Sequence, residues 1–108
     1  MIKTDLFNQQ DRELALIAKA LSHPARIAIL NFLAHSNSCI SGDISKEIPL
    51  SRTTVSQHLT ELKKMGFIKG TVEGITINYC LDNQKLNEIK LAFELFFGKL
   101  LSYPNPTC

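Results

Sequence analysis

Near Gly66 the hydrophobic period of the chain changes from helical to two, and after Asp82 it changes back. Leu14, Ile17, Ala18 and Leu21 recur at intervals of three and four, the pattern of a helix with one buried face, and predict a first helix over about 10–21. Ser22-His23-Pro24 interrupts it, and Pro24 suits the first turn of a second helix running to about Ala34. That helix is apolar nearly all round (Ala25, Ile27, Ala28, Ile29, Leu30, Phe32, Leu33), so it is expected to be central. Ile40, Ile44 and Ile48 predict a short third helix over about 41–48, ended by Pro49. Ser51 then caps a fourth helix to about Met65, with Val55, Leu59 and Leu62 as its buried stripe.

Between Phe67 and Leu81 the alternation of Ile75, Ile77, Tyr79 and Leu81 with Thr76, Asn78 and Cys80 reads as a strand with one buried face. Glu73-Gly74 supplies the turn back from Ile68–Val72, which makes a hairpin. Asp82 or Asn83 caps a fifth helix to about Ser102, with Leu86, Ile89, Phe93, Phe96 and Leu100 at helical spacing. The expected fold is mainly α with a small β-hairpin wing, an α+β winged helix-turn-helix of five helices. It is one domain over 1–108, with the helix-turn-helix at about 41–65, the wing at about 67–81 and pairing helices at about 10–21 and 83–102.

Composition narrows the function. The 108 residues are 44% hydrophobic and 20% charged, with no apolar run near the roughly 20 residues that a membrane-spanning helix needs. No membrane partner is expected. The opening Met1-Ile2-Lys3-Thr4-Asp5 lacks an apolar signal core, which makes the cytoplasm the expected compartment. Net charge is only +2, but residues 51–70 hold Arg52, Lys63, Lys64 and Lys69 against Glu61 alone. The rest of the chain is slightly negative, so the positive charge is concentrated in one segment.

The fourth helix carries the chemistry. Its outward face reads Arg52, Thr53, Ser56, Gln57, Thr60, Lys63 and Lys64. A major groove about 12 Å wide admits one helix whose side chains are short yet able to donate and accept at base edges. Arg52 can pair with guanine and Gln57 with adenine, while the hydroxyls of Thr53, Ser56 and Thr60 can hold phosphates. Lys63, Lys64 and Lys69, farther along, are expected at the DNA backbone. The wing tip, Val72-Glu73-Gly74, offers no arginine to a minor groove, which leaves wing contacts open.

Three segments in order resemble the ArsR/SmtB family of winged-helix repressors: Ala20-Leu-Ser-His-Pro-Ala-Arg-Ile-Ala-Ile-Leu30, Leu50-Ser-Arg-Thr-Thr-Val-Ser-Gln-His-Leu59 and Leu62-Lys-Lys-Met-Gly-Phe-Ile68. The resemblance covers about residues 10–102. It implies a homodimer built from the first and last helices, a palindromic double-stranded operator, and release by a metal ion or another small effector. The DNA positions it implies, Arg52, Thr53, Ser56 and Gln57, coincide with those chosen from side-chain chemistry. The apolar residues of the outer helices also call for a partner, so the expected dimer seam is Leu14, Ile17, Leu86, Ile89, Phe93, Phe96, Phe97 and Leu100. Two copies would set two recognition helices about 34 Å apart, one DNA turn.

The effector is the least specified part. The three cysteines Cys39, Cys80 and Cys108 are an odd number, which argues against a disulfide framework and leaves thiols that are inert or sensing. Some relatives place a Cys-x-Cys pair at the start of the short third helix; here the stretch reads Cys39-Ile40-Ser41-Gly42-Asp43, and Ser41 is a poor ligand for a soft metal. No histidine follows His58, so a zinc-type site on the last helix is not expected. Cys39 and Cys80 keep one thiol from each of two places in a metalloid-sensing subgroup, which leaves a thiophilic metal or metalloid ion open. A redox or persulfide switch joining Cys39 to another thiol is the alternative, and a small buried Cys39 the plainer one. His58, beside the buried stripe, is expected to pack or cap rather than read bases. His23 and His35, flanking the second helix, are expected to cap or to be solvated.

Two other function classes fit the sequence less well. A winged helix used only for protein contacts would favour acidic or apolar side chains on the fourth helix, which this chain lacks. An enzyme would need a nucleophile with a neighbouring base or a Gly-rich phosphate loop, and local spacing supplies neither.

Overall fold

A computed structural model of the chain describes residues 6–36, 39–41, 44 and 46–105. Element order is α1 (Gln9–Ala20), α2 (Pro24–Ser36), β1 (Ile40–Ser41), α3 (Arg52–Lys64), β2 (Ile68–Glu73), β3 (Thr76–Leu81) and α4 (Asn83–Leu101). This is an α+β winged-helix architecture with the helix boundaries of α1, α3 and α4 within a residue or two of the expected ones.

The helix ends follow from local chemistry. Asn8 caps α1 by accepting from the Asp11 amide at 2.8 Å. The amides of Leu21 and Ser22 bond back to the carbonyls of Ala18 and Lys19, ending the helix. At the next start the His23 carbonyl accepts from Arg26 and Ile27, with Pro24 in the first turn where its missing N–H has no partner to lose. Ser51 caps α3 through a 3.2 Å bond from the Thr54 amide. At the other end Gly66, at φ +88°, closes a Schellman motif: its amide reaches Lys63 and the Phe67 amide reaches the Leu62 carbonyl at 3.0 Å. Of the two candidate caps for α4, Asp82 does the work, accepting from the Lys85 amide at 3.2 Å.

The sheet has three antiparallel strands in the order β1-β3-β2. Ile68 pairs with Leu81 and Glu73 with Thr76, which leaves Gly74 and Ile75 as the two-residue turn of the wing. β1 pairs Ile40 with Tyr79 and Ser41 with Asn78 on the other side of β3.

The core lies where α2, α3 and the base of the hairpin meet. Ile29, Leu33, Val55, Leu59, Leu62, Phe67 and Ile68 are buried, joined by Ala20, Ile44 and Ile48.

Four expectations need correction. The structure has four helices among the described residues, not five: the start of the expected 41–48 helix is drawn into the sheet as β1, because pairing with Tyr79 and Asn78 satisfies its backbone better than a short helix would. Among the described residues of that stretch, the Glu47 and Ile48 amides bond to the Ile44 carbonyl. Residues 42, 43 and 45 lie outside the described set. Second, α2 buries only Ile29 and Leu33 completely, and Ile27 is 40% exposed, because the core meets one side of this helix. Third, Ile75 does not face inward; it sits in the turn beyond the last strand pair, fully exposed. Fourth, Cys39 is exposed rather than buried, and it is disulfide-bonded to Cys80 across β1 and β3, where the sequence argued against a disulfide.

Candidate nucleic-acid interface

The α3 helix divides cleanly. Val55, Leu59 and Leu62 are at most 2% exposed, while Arg52, Thr53, Ser56, Gln57, Thr60, Lys63 and Lys64 all lie on the solvent side. The Ser51 cap fixes the N-terminal turn, so the first exposed residues project from backbone that is held in place. With Lys63 and Lys64 in its last turn and no acidic residue in its first, α3 presents a polar, basic surface.

Arg52 and Thr53 are exposed in the first turn of α3, and the other six candidate residues occupy three neighbourhoods. Ser56, Gln57, Thr60 and Lys64 line a cleft of about 880 Å³ between α3 and the α1–α2 corner, opposite Lys19, His23 and Arg26. Thr60 donates its hydroxyl to the Ser56 carbonyl at 3.0 Å, which leaves its oxygen lone pairs facing outward as acceptors. Lys63 leans instead over the wing, where a methyl built on Gly70 would lie 3.5 Å from its ammonium. Lys69 is farther still: it pairs across the hairpin with Cys80 and, with Cys39, lines a small cavity of about 340 Å³ on the opposite flank.

Sequence reasoning did not single out the residue that ties the α1–α2 corner to α3. Arg26 Nε donates to His58 Nδ1 at 3.0 Å, and its terminal nitrogen donates to the Ala20 carbonyl at 3.2 Å. The signal was present, since Arg26 is the sole cation inside an otherwise apolar helical run and a cation there needs a partner. The His23 ring lies 5.5 Å from that of His58. Burial first, then the positive charge of Arg26 and the neighbouring His23, hold the His58 pKa below its ordinary value. His58 therefore packs, as expected, while His35 is exposed in the last turn of α2 with its Nδ1 2.7 Å from the Asn31 carbonyl.

Cys39 and Cys80 have Cα atoms 4.4 Å apart, 41 residues distant in sequence. When reduced they would offer two adjacent soft donors, which fits a thiophilic ion in donor type. Among the described residues no group of three His, Cys, Asp or Glu gathers to complete a metal site. Cys108 lies outside the described residues.

The expected pairing helices carry two kinds of residue. Ile17, Leu86 and Ile89 pack against the core of their own chain, and Leu14 and Phe93 are half-buried. Phe96, Phe97 and Leu100 are exposed, together with Leu16, Leu91, Leu95 and Leu101, which the sequence reading had not named.

Residues 23–69 match the model of the bacterial regulatory protein arsR family. The chain is 33% identical over 75 residues to the Escherichia coli HTH-type transcriptional regulator YgaV, covering 69% of this chain and 76% of that protein. It is 32% identical over 87 residues to a Staphylococcus aureus cadmium resistance transcriptional regulatory protein CadC homolog, covering 81% and 72% of the two chains. It belongs to the ArsR family of transcriptional regulators. Among solved structures, an ArsR-like transcriptional regulator from Rhodococcus sp. RHA1 superposes with a TM-score of 0.71 at 26% identity, covering 86% of this chain and 87% of that one. HlyU from Vibrio cholerae superposes with a TM-score of 0.63 at 26% identity, over 83% and 98% of the chains. The matched 23–69 segment runs from the α1–α2 corner through α3 into β2, so the ArsR-family signature coincides with the elements that present the polar face. Among the described residues no helix is long and apolar enough to cross a membrane.

Proposed function

We propose that this ArsR-family chain is a homodimeric repressor that reads an inverted-repeat operator with two copies of α3 and is released through its Cys39–Cys80 pair. The observation that carries the reading is the exposed face of α3, with Arg52, Thr53, Ser56 and Gln57 projecting from a capped first half and Lys63 and Lys64 following. Arg52 and Gln57 supply base-edge contacts, and the hydroxyls of Thr53 and Ser56 with Lys63 and Lys64 hold phosphates. Pairing through the exposed apolar side of α4, with α1 beside it, gives the two-fold symmetry that an inverted repeat requires.

The thiol pair is the proposed sensor because Cys39 immediately precedes β1, the strand before α3 in the chain, and the bond to Cys80 ties it to the central strand. Lys69 pairs across the hairpin with Cys80 and lines the same small cavity as both cysteines. Thiol–disulfide exchange with a small disulfide removes two electrons and two protons from the pair, and the small disulfide leaves as two thiols. A second reading, capture of a thiophilic ion such as cadmium or arsenite by the two reduced thiolates, is favoured by their adjacency and by the cadmium-resistance name of a relative.

Titration of the duplex upstream of the protein's own gene, with the chain reduced, oxidised by a small disulfide, or reduced and loaded with arsenite or cadmium, tests both. The thiol-switch reading expects operator affinity to differ about tenfold or more between reduced and oxidised protein, within the usual range of coupling between two sites, and Cys39→Ser to abolish the difference. Equal affinities in the two states overturn the redox reading; a response to the ion alone, lost in Cys39→Ser, establishes the second.

A further inference from the structure

One half-buried guanidinium joins three helices. Arg26, in the first turn of α2, donates to the last residue of α1 and to His58 in the middle of α3. His58 follows Gln57 directly and lies half-buried, one turn before Glu61 and on the side of α3 that faces the α1–α2 corner. Its Nδ1 can accept from Arg26 only while unprotonated, which requires a neutral imidazole with its proton on Nε2. Protonation would replace that acceptor with a second cation against the guanidinium.

We propose that Arg26 and His58 are positioning residues for DNA reading: they set the orientation from which Gln57 and its neighbours project, and protonation of His58 releases that hold, so operator binding weakens in mild acid. The proposal rests on α3 being the DNA-reading helix. The charged and titratable groups around the imidazole are Lys19 from α1, His23 and Arg26 at the start of α2, and Glu61 and Lys64 on α3 itself. Cations outnumber the single carboxylate, and burial acts in the same direction, so His58 stays neutral near pH 7 and protonates below the ordinary histidine range. The direction is diagnostic. Acid adds positive charge to any protein and by itself strengthens attraction to phosphates, whereas loss of this bond weakens reading.

The test is the affinity of the full chain for its upstream duplex at constant salt, at about pH 8 and about pH 5, so that the lower value reaches a histidine whose pKa lies below its ordinary one. Wild-type protein is expected to bind about tenfold more weakly at the lower pH. His58→Gln, which keeps a side-chain acceptor but does not titrate, is expected to be flat within about twofold, and His23→Gln to retain the wild-type slope. Arg26→Gln, with helix content checked by circular dichroism, is expected to bind weakly at both values. Acid-tightened or pH-independent binding by the wild type overturns the proposal, as does a slope that survives in His58→Gln. Imidazole nitrogen shifts measured without DNA separate the two layers: the Nε2-H tautomer is expected, with a titration that moves up in Arg26→Gln. Failure to bind duplex at any pH sinks the DNA-reading assignment, whereas a Nδ1-H tautomer sinks the Arg26–His58 pair whatever the DNA result.

Discussion

The α3 and α4 helices differ both in how much apolar material they carry and in where they put it. α3 spends its three apolar stripe residues on the core and leaves a polar face outside. α4 has no fully buried residue, and Leu91, Leu95, Phe96, Phe97, Leu100 and Leu101 are all exposed, up to 82% for Leu101. A helix whose apolar side is already covered can present polar atoms to a ligand without a partner. A helix whose apolar side is open is stable in water only when something covers it, because each uncovered leucine or phenylalanine forgoes roughly 1.5–3 kcal/mol of burial. The contrast supports the proposed division, with recognition by α3 and assembly through α4.

Four substitutions break or sharpen that contrast. Leu62→Ala, at the fully buried end of the α3 stripe, is expected to cost about 2–5 kcal/mol of stability by denaturant titration, because the cavity forms where three elements meet. Arg52→Ala is expected to cost about 1–3 kcal/mol of operator affinity and to relax preference at one base position per half-site. Ser51→Ala removes the cap that orients the first turn of α3, and should lower stability by about 1 kcal/mol. Leu95→Ser, on the exposed side of α4, should leave the stability of the separated chain within about 0.5 kcal/mol while shifting sedimentation toward single chains. A Leu95 variant as destabilised as Leu62→Ala would mean that α4 is covered by its own chain.

Stability should also follow pH through His58. Its folded-state pKa is depressed, so the folded protein binds its proton at lower pH than the unfolded chain does. The contribution is present above the ordinary histidine value of 6.5 and is lost as pH falls below it toward the folded-state value. Arg26→Gln should shrink that acid-side loss.

Local patterns were legible and long-range pairings were not. Ser51, Gly66 and Asp82 act where their side-chain or backbone chemistry said they would, since caps depend on neighbours within four residues. The alternation of the wing was readable from Ile68 to Leu81, but it ran through Ile75 because periodicity does not register a two-residue turn inside a run of apolar residues. The Ile40–Ser41 strand was invisible for the opposite reason: its helical spacing was outweighed by pairing with Tyr79, nearly 40 residues away. The same distance hid the Cys39–Cys80 pair and the Arg26–His58 bond. Of the expected seam, Phe96, Phe97 and Leu100 are exposed, whereas Ile17, Leu86 and Ile89 support their own core; a three-four stripe does not say which side of it faces which neighbour.

The most direct measurement is the mass of the complex formed with a duplex carrying the inverted repeat, by sedimentation at low salt. Two chains per duplex are predicted, falling to no stable complex when Arg52 and Gln57 are both replaced by alanine. A chain that stays single and passes the duplex by, or a complex indifferent to those two side chains, would contradict the division of labour between α3 and α4.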